Sequence, residues 1–119
     1  MDIESFRSYC LYKAGTTEEF PFDESTLVFK VMGKIFAITG LDDLEFKVSL
    51  KCDPDWAIDL RESFPQIVPG FHMNKKHWNT VSFEADLPEM LLREMIDHSY
   101  QLVVNGLSAK AKKTLSQLQ

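Results

Sequence analysis

The residues best equipped for chemistry lie in one run, Phe71-His72-Met73-Asn74-Lys75-Lys76-His77-Trp78-Asn79-Thr80-Val81, directly after Pro69-Gly70. Imidazoles bind metals or move protons, ammonium groups meet phosphates, and an indole stacks on a flat ring. His72 and His77 are five apart, so they do not form the i, i+4 pair that a helix would aim at one metal ion, and no cysteine accompanies them. Zinc needs at least three protein ligands. The reading that the residues support is therefore a folded corner. Asn74 caps a single turn through Lys75–His77, the rings of His72 and His77 satisfy loop groups, and Asn79 belongs to the same structural signature.

Nucleophilic and nucleotide chemistry find no support. Asp97-His98-Ser99 is consecutive, and on a helix its side chains diverge by about 100° each, so they cannot form a triad. No GxSxG elbow and no glycine-rich phosphate loop is present. What remains is cationic and aromatic: Lys30, Lys47, Lys51, Lys75, Lys76 and Trp78 form a candidate nucleic-acid-binding set. No catalytic, cofactor-binding or metal-binding residue is assigned.

The elements that would position these groups follow from periodicity. Asp2 caps a helix of about residues 3–13, with Ile3, Phe6, Tyr9, Cys10 and Lys13 on one face and Gly15 at its stop. Residues 15–25 are acidic and turn-like. Leu27–Met32 and Lys34–Leu41 form a hairpin about Gly33-Lys34. In Glu45–Cys52, Phe46, Val48, Leu50 and Cys52 alternate with Glu45, Lys47, Ser49 and Lys51, which predicts one buried and one wet face. Asp53 caps a second helix with Pro54 at its first position, and Pro65 stops it. Pro69-Gly70 marks a loop, Trp78–Glu84 a fourth strand, Pro88 opens a long helix to about residue 105, and Ser108 caps a last short one. The order α-β-β-β-α-β-α-α lacks βαβ alternation, so the expected fold is α+β: a two-layer, curved antiparallel sheet with helices packed on one face. On such a sheet Lys30, Lys47, Lys51 and Trp78 share the open face, and Lys75 and Lys76 stand at its rim.

A chain of 119 residues with a 45 % apolar composition is one domain, residues 1–119, able to bury a core without staples. The formal net charge of −5 counts against a dedicated nucleic-acid binder but leaves room for a local cationic patch. Cys10 and Cys52 fit no metal spacing and fall on apolar sides of their elements, as buried free thiols in a reducing compartment. The acidic N-terminus has no apolar run behind it, and no window is long and apolar enough to span a bilayer. A soluble cytoplasmic protein is expected.

Val48-Ser49-Leu50-Lys51-Cys52, Asp53-Pro54 leading into Leu60-Arg61, Val68-Pro69-Gly70-Phe71, the histidine–lysine–tryptophan run and Asp97-His98-Ser99-Tyr100 occur together at a spacing that resembles the MmcQ/YjbR family of small bacterial proteins. The resemblance covers nearly the whole chain. It implies a fold similar to CyaY and to type III secretion chaperones, no established enzymatic activity, no cofactor, and the family's usual description as double-wing DNA-binding. Two partners are therefore expected in turn. The first is DNA, held weakly and in a salt-dependent way; the alternative is a protein, in an adaptor or chaperone-like role. No membrane partner is expected, and the protein is expected to be a monomer or weak dimer.

Overall fold

The computed structural model describes residues 1–70 and 73–118. His72, assigned above to the structural signature, lies outside the described residues. Helix α1 (Ile3–Leu11) is followed by strands β1 (Thr16–Glu19), β2 (Thr26–Val31), β3 (Lys34–Gly40) and β4 (Lys47–Lys51). Then come helix α2 (Pro54–Ser63), strands β5 (Ile67–Pro69) and β6 (Trp78–Ser82), and helices α3 (Glu89–Asn105) and α4 (Ala109–Ser116). The six strands form one antiparallel, curved sheet in the order β1-β2-β3-β4-β6-β5. The expected α+β architecture holds. It gains two short strands at its edges: β1 lies in the stretch read as turn-like, and β5 runs up to the Pro69-Gly70 read as loop.

Local chemistry sets the boundaries. Asp2 Oδ1 accepts the Ser5 N–H at 2.7 Å, Asp53 Oδ2 accepts from Asp55 and Trp56, and Ser108 Oγ accepts from Ala111, which caps three of the four helices. Met32 and Gly33 both adopt positive φ, 49° and 82°, and Val31 pairs with Lys34. That is the two-residue turn whose twist suits a hairpin, and Met32 carries the strain.

The core lies on one face. Leu27, Phe29 and Val31 from β2, Val48 and Leu50 from β4 and Val81 from β6 join Phe6 and Cys10 of α1, Ala57 and Leu60 of α2, and Leu92, Met95, Ile96 and Val103 of α3 in a single buried cluster. Phe6 is its hub. Its ring meets Phe29, Phe46 and Phe83 edge-on at centroid distances of 5.3, 5.7 and 5.5 Å. Both cysteines are free and buried, and burial pushes each thiol up to about 12.

Strands β3 and β4 pair over only two positions, Ala37 with Leu50 and Ile38 with Ser49. Where they separate, side-chain hydroxyls take over. At one end Thr39 Oγ1 donates to the Lys47 carbonyl at 2.7 Å. At the other, Ser99 of α3 reaches the next position of the same register. Its Oγ accepts the Lys51 N–H at 2.9 Å and donates to the Phe36 carbonyl at 2.6 Å. Ser99 is wholly buried, so its loss strands one donor and one acceptor away from water. Ser99→Ala is expected to destabilise the fold by about 2–4 kcal/mol, read from urea denaturation. Ser8→Ala, on the exposed side of α1, should stay within about 0.5 kcal/mol of the parent.

Candidate functional site: the tryptophan corner and the helix clasp

Strands β4 and β6 pair from Lys47–Ser82 to Lys51–Trp78, so Lys51 and Trp78 are direct neighbours on the face away from the helices. Just before β6, Asn74 Oδ1 accepts the Lys76 N–H at 2.9 Å, and the His77 N–H donates to the Asn74 carbonyl at 3.2 Å, which closes one turn. The His77 carbonyl accepts from Cys52 at 2.8 Å and ties this turn to the end of β4. Arg61, near the end of α2, donates from Nη1 to the Lys75 carbonyl at 3.3 Å and from Nε to the Ala57 carbonyl at 3.1 Å. Gly70 donates its N–H to the Trp78 carbonyl at 2.7 Å; a Cβ there would lie 2.7 Å from Trp78 Cβ, so only glycine allows that approach. Arg61 belongs to the Leu60-Arg61 piece of the family resemblance but not to the candidate site residues; it supports the corner through backbone carbonyls, contacts that spacing in a sequence does not reveal.

The six candidate cationic and aromatic residues divide into two groups. Lys51, Lys75, Lys76 and Trp78 meet at this corner. Lys30 and Lys47 do not join them: Lys30 Nζ lies 3.3 Å from Glu19 Oε1, and Lys47 Nζ lies 3.7 Å from Glu45 Oε2. The hydrogen bond from Thr17 and then that from Lys30 hold the Glu19 carboxyl below its usual range. The face is also drier than alternation suggests. Val28 is fully buried, Thr80 and Ser82 are only 9 % exposed, Ser49 and Thr80 share a hydrogen bond of 2.9 Å, and Ser82 Oγ donates to Glu45. The cations form a corner, not a sheet-wide patch.

Asn79 points the other way. It faces Leu50 on the core side, 2 % exposed, and neither its Oδ1 nor its Nδ2 has a hydrogen-bond partner among the described residues. Beside it is a void of about 10 Å³ lined by Leu50, Cys52, Trp56, Leu60, Val81 and Met95, among others.

The Asp97-His98-Ser99-Tyr100 turn of α3 is a clasp. Asp97, exposed on the helix surface, and half-buried His98 are both engaged. The Tyr9 hydroxyl donates to Asp97 Oδ1 at 2.7 Å, and Lys13 pairs with the same carboxylate. Burial, then the hydrogen bond to Asp97, pushes the Tyr9 phenol up to about 12. His98 Nε2 accepts the Asp53 N–H at 3.0 Å, and its ring meets Trp56 edge-on at 4.6 Å. Tyr100 donates to the Ala14 carbonyl at 2.7 Å and packs edge-on against Phe36. An open groove beside His98 is lined by Asp53, Trp56, Glu94, Asp97 and Gln101. Because Nε2 is already an acceptor, His98 is a poor general base there. Among the described residues no three His, Cys, Asp or Glu side chains gather to hold a metal ion.

A family model described as YjbR matches residues 11–102. The chain belongs to the YjbR family. The uncharacterized protein YbdF of Escherichia coli O157:H7 is 41 % identical over 95 residues, covering 79 % of this chain and 77 % of that protein. The uncharacterized protein YjbR of E. coli K12 is 34 % identical over 118 residues, covering 99 % and 100 %. The crystal structure of Deinococcus radiodurans protein DR2400 superposes with a TM-score of 0.89 at 39 % identity, over 96 % of this chain and 87 % of that one. This YjbR-family chain has no helix among its described residues long and apolar enough to cross a membrane.

Two measurements test this geometry. Burial lowers the pKa of His98 below 6.5. The unfolded chain therefore binds a proton at His98 before the folded chain does. The stability that neutral His98 contributes is complete above about pH 6.5, declines as the pH falls below it, and levels off below the folded pKa. Urea denaturation from pH 8 to 5 is expected to show this loss in the parent and not in His98→Gln. Asn79→Leu, which removes two buried polar atoms with no partner among the described residues beside a void, is expected to leave the melting temperature equal to or above the parent's, against the usual cost of a core substitution.

Proposed function

We propose that this YjbR-family protein is a non-enzymatic binding module that contacts single-stranded DNA through one corner of its sheet. Lys51, Lys75 and Lys76 meet phosphates there, and Trp78 offers a face for an unpaired base. The observation that carries this reading is that three lysines with no carboxylate partner among the described residues lie beside one indole at the same sheet end. The anchored turn and strand fix the backbone from which these side chains project, which lowers part of the ordering cost of binding. Stacking on one aromatic ring contributes about 1–3 kcal/mol for any base, so sequence preference is weak. A net charge of −5 keeps affinity modest.

Three neutralised phosphates on a single strand give a log–log salt slope of about −2.1, a fall of roughly 20-fold in affinity between 50 and 200 mM salt. Fluorescence anisotropy with a labelled oligonucleotide is expected to show this slope. Lys75→Glu/Lys76→Glu is expected to abolish binding, and Trp78→Ala to weaken it about 10-fold or more. Lys47→Glu is expected to change little, because its charge is already met by Glu45. Salt-independent binding, or a Lys75→Glu/Lys76→Glu variant that binds like the parent, removes the proposal.

A further inference from the structure

Four large apolar side chains stand in water at the end of the sheet opposite the tryptophan corner. Phe20 and Phe22 lie in the loop from β1 to β2, Leu41 and Leu44 in the loop from β3 to β4; Phe22 is 65 % exposed and Leu44 fully so. The two loops are neighbours because Thr26, which opens β2, pairs with Gly40, which closes β3. The Leu41 N–H donates to the Ser25 carbonyl at 2.7 Å and joins them. Each loop is also braced from within. Asp23 accepts from the Ser25 and Thr26 N–H groups at 2.9 and 2.6 Å and from the Thr26 hydroxyl at 3.0 Å. A Cβ at Gly40 would sit 2.6 Å from Asp43 Oδ2, so the second loop folds back tightly on its own strand. The apolar groups are thus held out by ordered turns. Around them stand Asp23, Glu24, Asp42 and Asp43, all exposed and none paired with a cation among the described residues.

We infer that this apolar, acid-ringed tip is a docking surface for a basic amphipathic segment of another protein. Monomeric soluble proteins rarely expose several large apolar groups together without a use. The ring selects the occupant. Nucleic acid and anionic lipid headgroups meet four carboxylates at close range and are repelled. A second copy in a two-fold contact brings the same ring against itself, which is again repulsive. A segment with apolar residues on one face and lysines or arginines beside them satisfies both features, and helices of that kind dock by inserting residues at i, i+3, i+4 and i+7. The surface is independent of the DNA-binding corner, which lies at the other end of the strands.

The test titrates the isotopically labelled full chain with a leucine–lysine peptide of roughly 18 residues patterned at helical spacing. Amide shifts are expected in residues 20–25 and 41–46 and not at the tryptophan corner. Phe22→Ser/Leu44→Ser is expected to weaken binding about 10-fold or more. Asp42→Asn/Asp43→Asn is expected to weaken it about threefold and to flatten its salt dependence. A leucine–glutamate peptide of the same pattern should not bind. Lys75→Glu/Lys76→Glu should bind the basic peptide like the parent, which separates this surface from the DNA-binding proposal. Shifts spread over the acidic surface, or unchanged binding by Phe22→Ser/Leu44→Ser, overturn the inference. Binding to phosphatidylcholine vesicles in place of the peptide overturns it in favour of a lipid surface. A self-association that Phe22→Ser/Leu44→Ser abolishes overturns it in favour of a second copy.

Discussion

One turn of α3 fixes most of the molecule, and Ser99 is its keystone. The β3–β4 ladder is short, and a sheet that opens between its central strands needs something in the gap. The Ser99 hydroxyl is both donor and acceptor, so one side chain completes the ladder in both directions. Its neighbours on the same turn cannot face the same way, and each therefore grips a different element. Asp97 holds α1 through Tyr9, His98 holds the start of α2 through Asp53, and Tyr100 holds the segment after α1 through Ala14. Divergence of about 100° per residue, which forbids a catalytic triad, is what allows a four-way clasp.

The clasp sets a frame in which charge runs along the strands. Lys51, Lys75 and Lys76, with no carboxylate partner among the described residues, sit where β4 ends and β6 begins, while Asp23, Glu24, Asp42, Asp43 and four exposed apolar groups sit where β2 begins and β3 ends. A formal charge of −5 describes neither end. Long-range attraction and repulsion then orient any charged partner before contact, and at physiological salt the two ends act largely independently because the Debye length is about 8 Å.

Much of this was legible in the sequence because it depends on neighbours in the chain. Asp53-Pro54, Ser108 and the alternation in β4 are local signals, and the elements they predict are present. Strand β1 was not legible. Thr-Thr-Glu-Glu has no apolar alternation, and it is a strand only because β2 supplies partners. That omission had a cost for the site. Lys30 stands opposite Thr17, on the same face as Glu19, so its ion pair becomes visible only once β1 exists. The roles of Asp97 and His98 were hidden for the same reason, since their partners are about 88 and 45 positions away in the chain.

The two strands that the sequence concealed also explain why the sheet stops at six. An outermost strand is a template on which another chain can add, and repeated addition is how sheets aggregate. Here one border carries adjacent glutamates, Glu18 and Glu19, whose charges an incoming strand would have to desolvate. The other is three residues long and ends in a proline, which has no N–H to offer. Both borders are poor seeds for fibril growth, so the protein can keep its apolar tip uncovered without inviting stacking along the sheet.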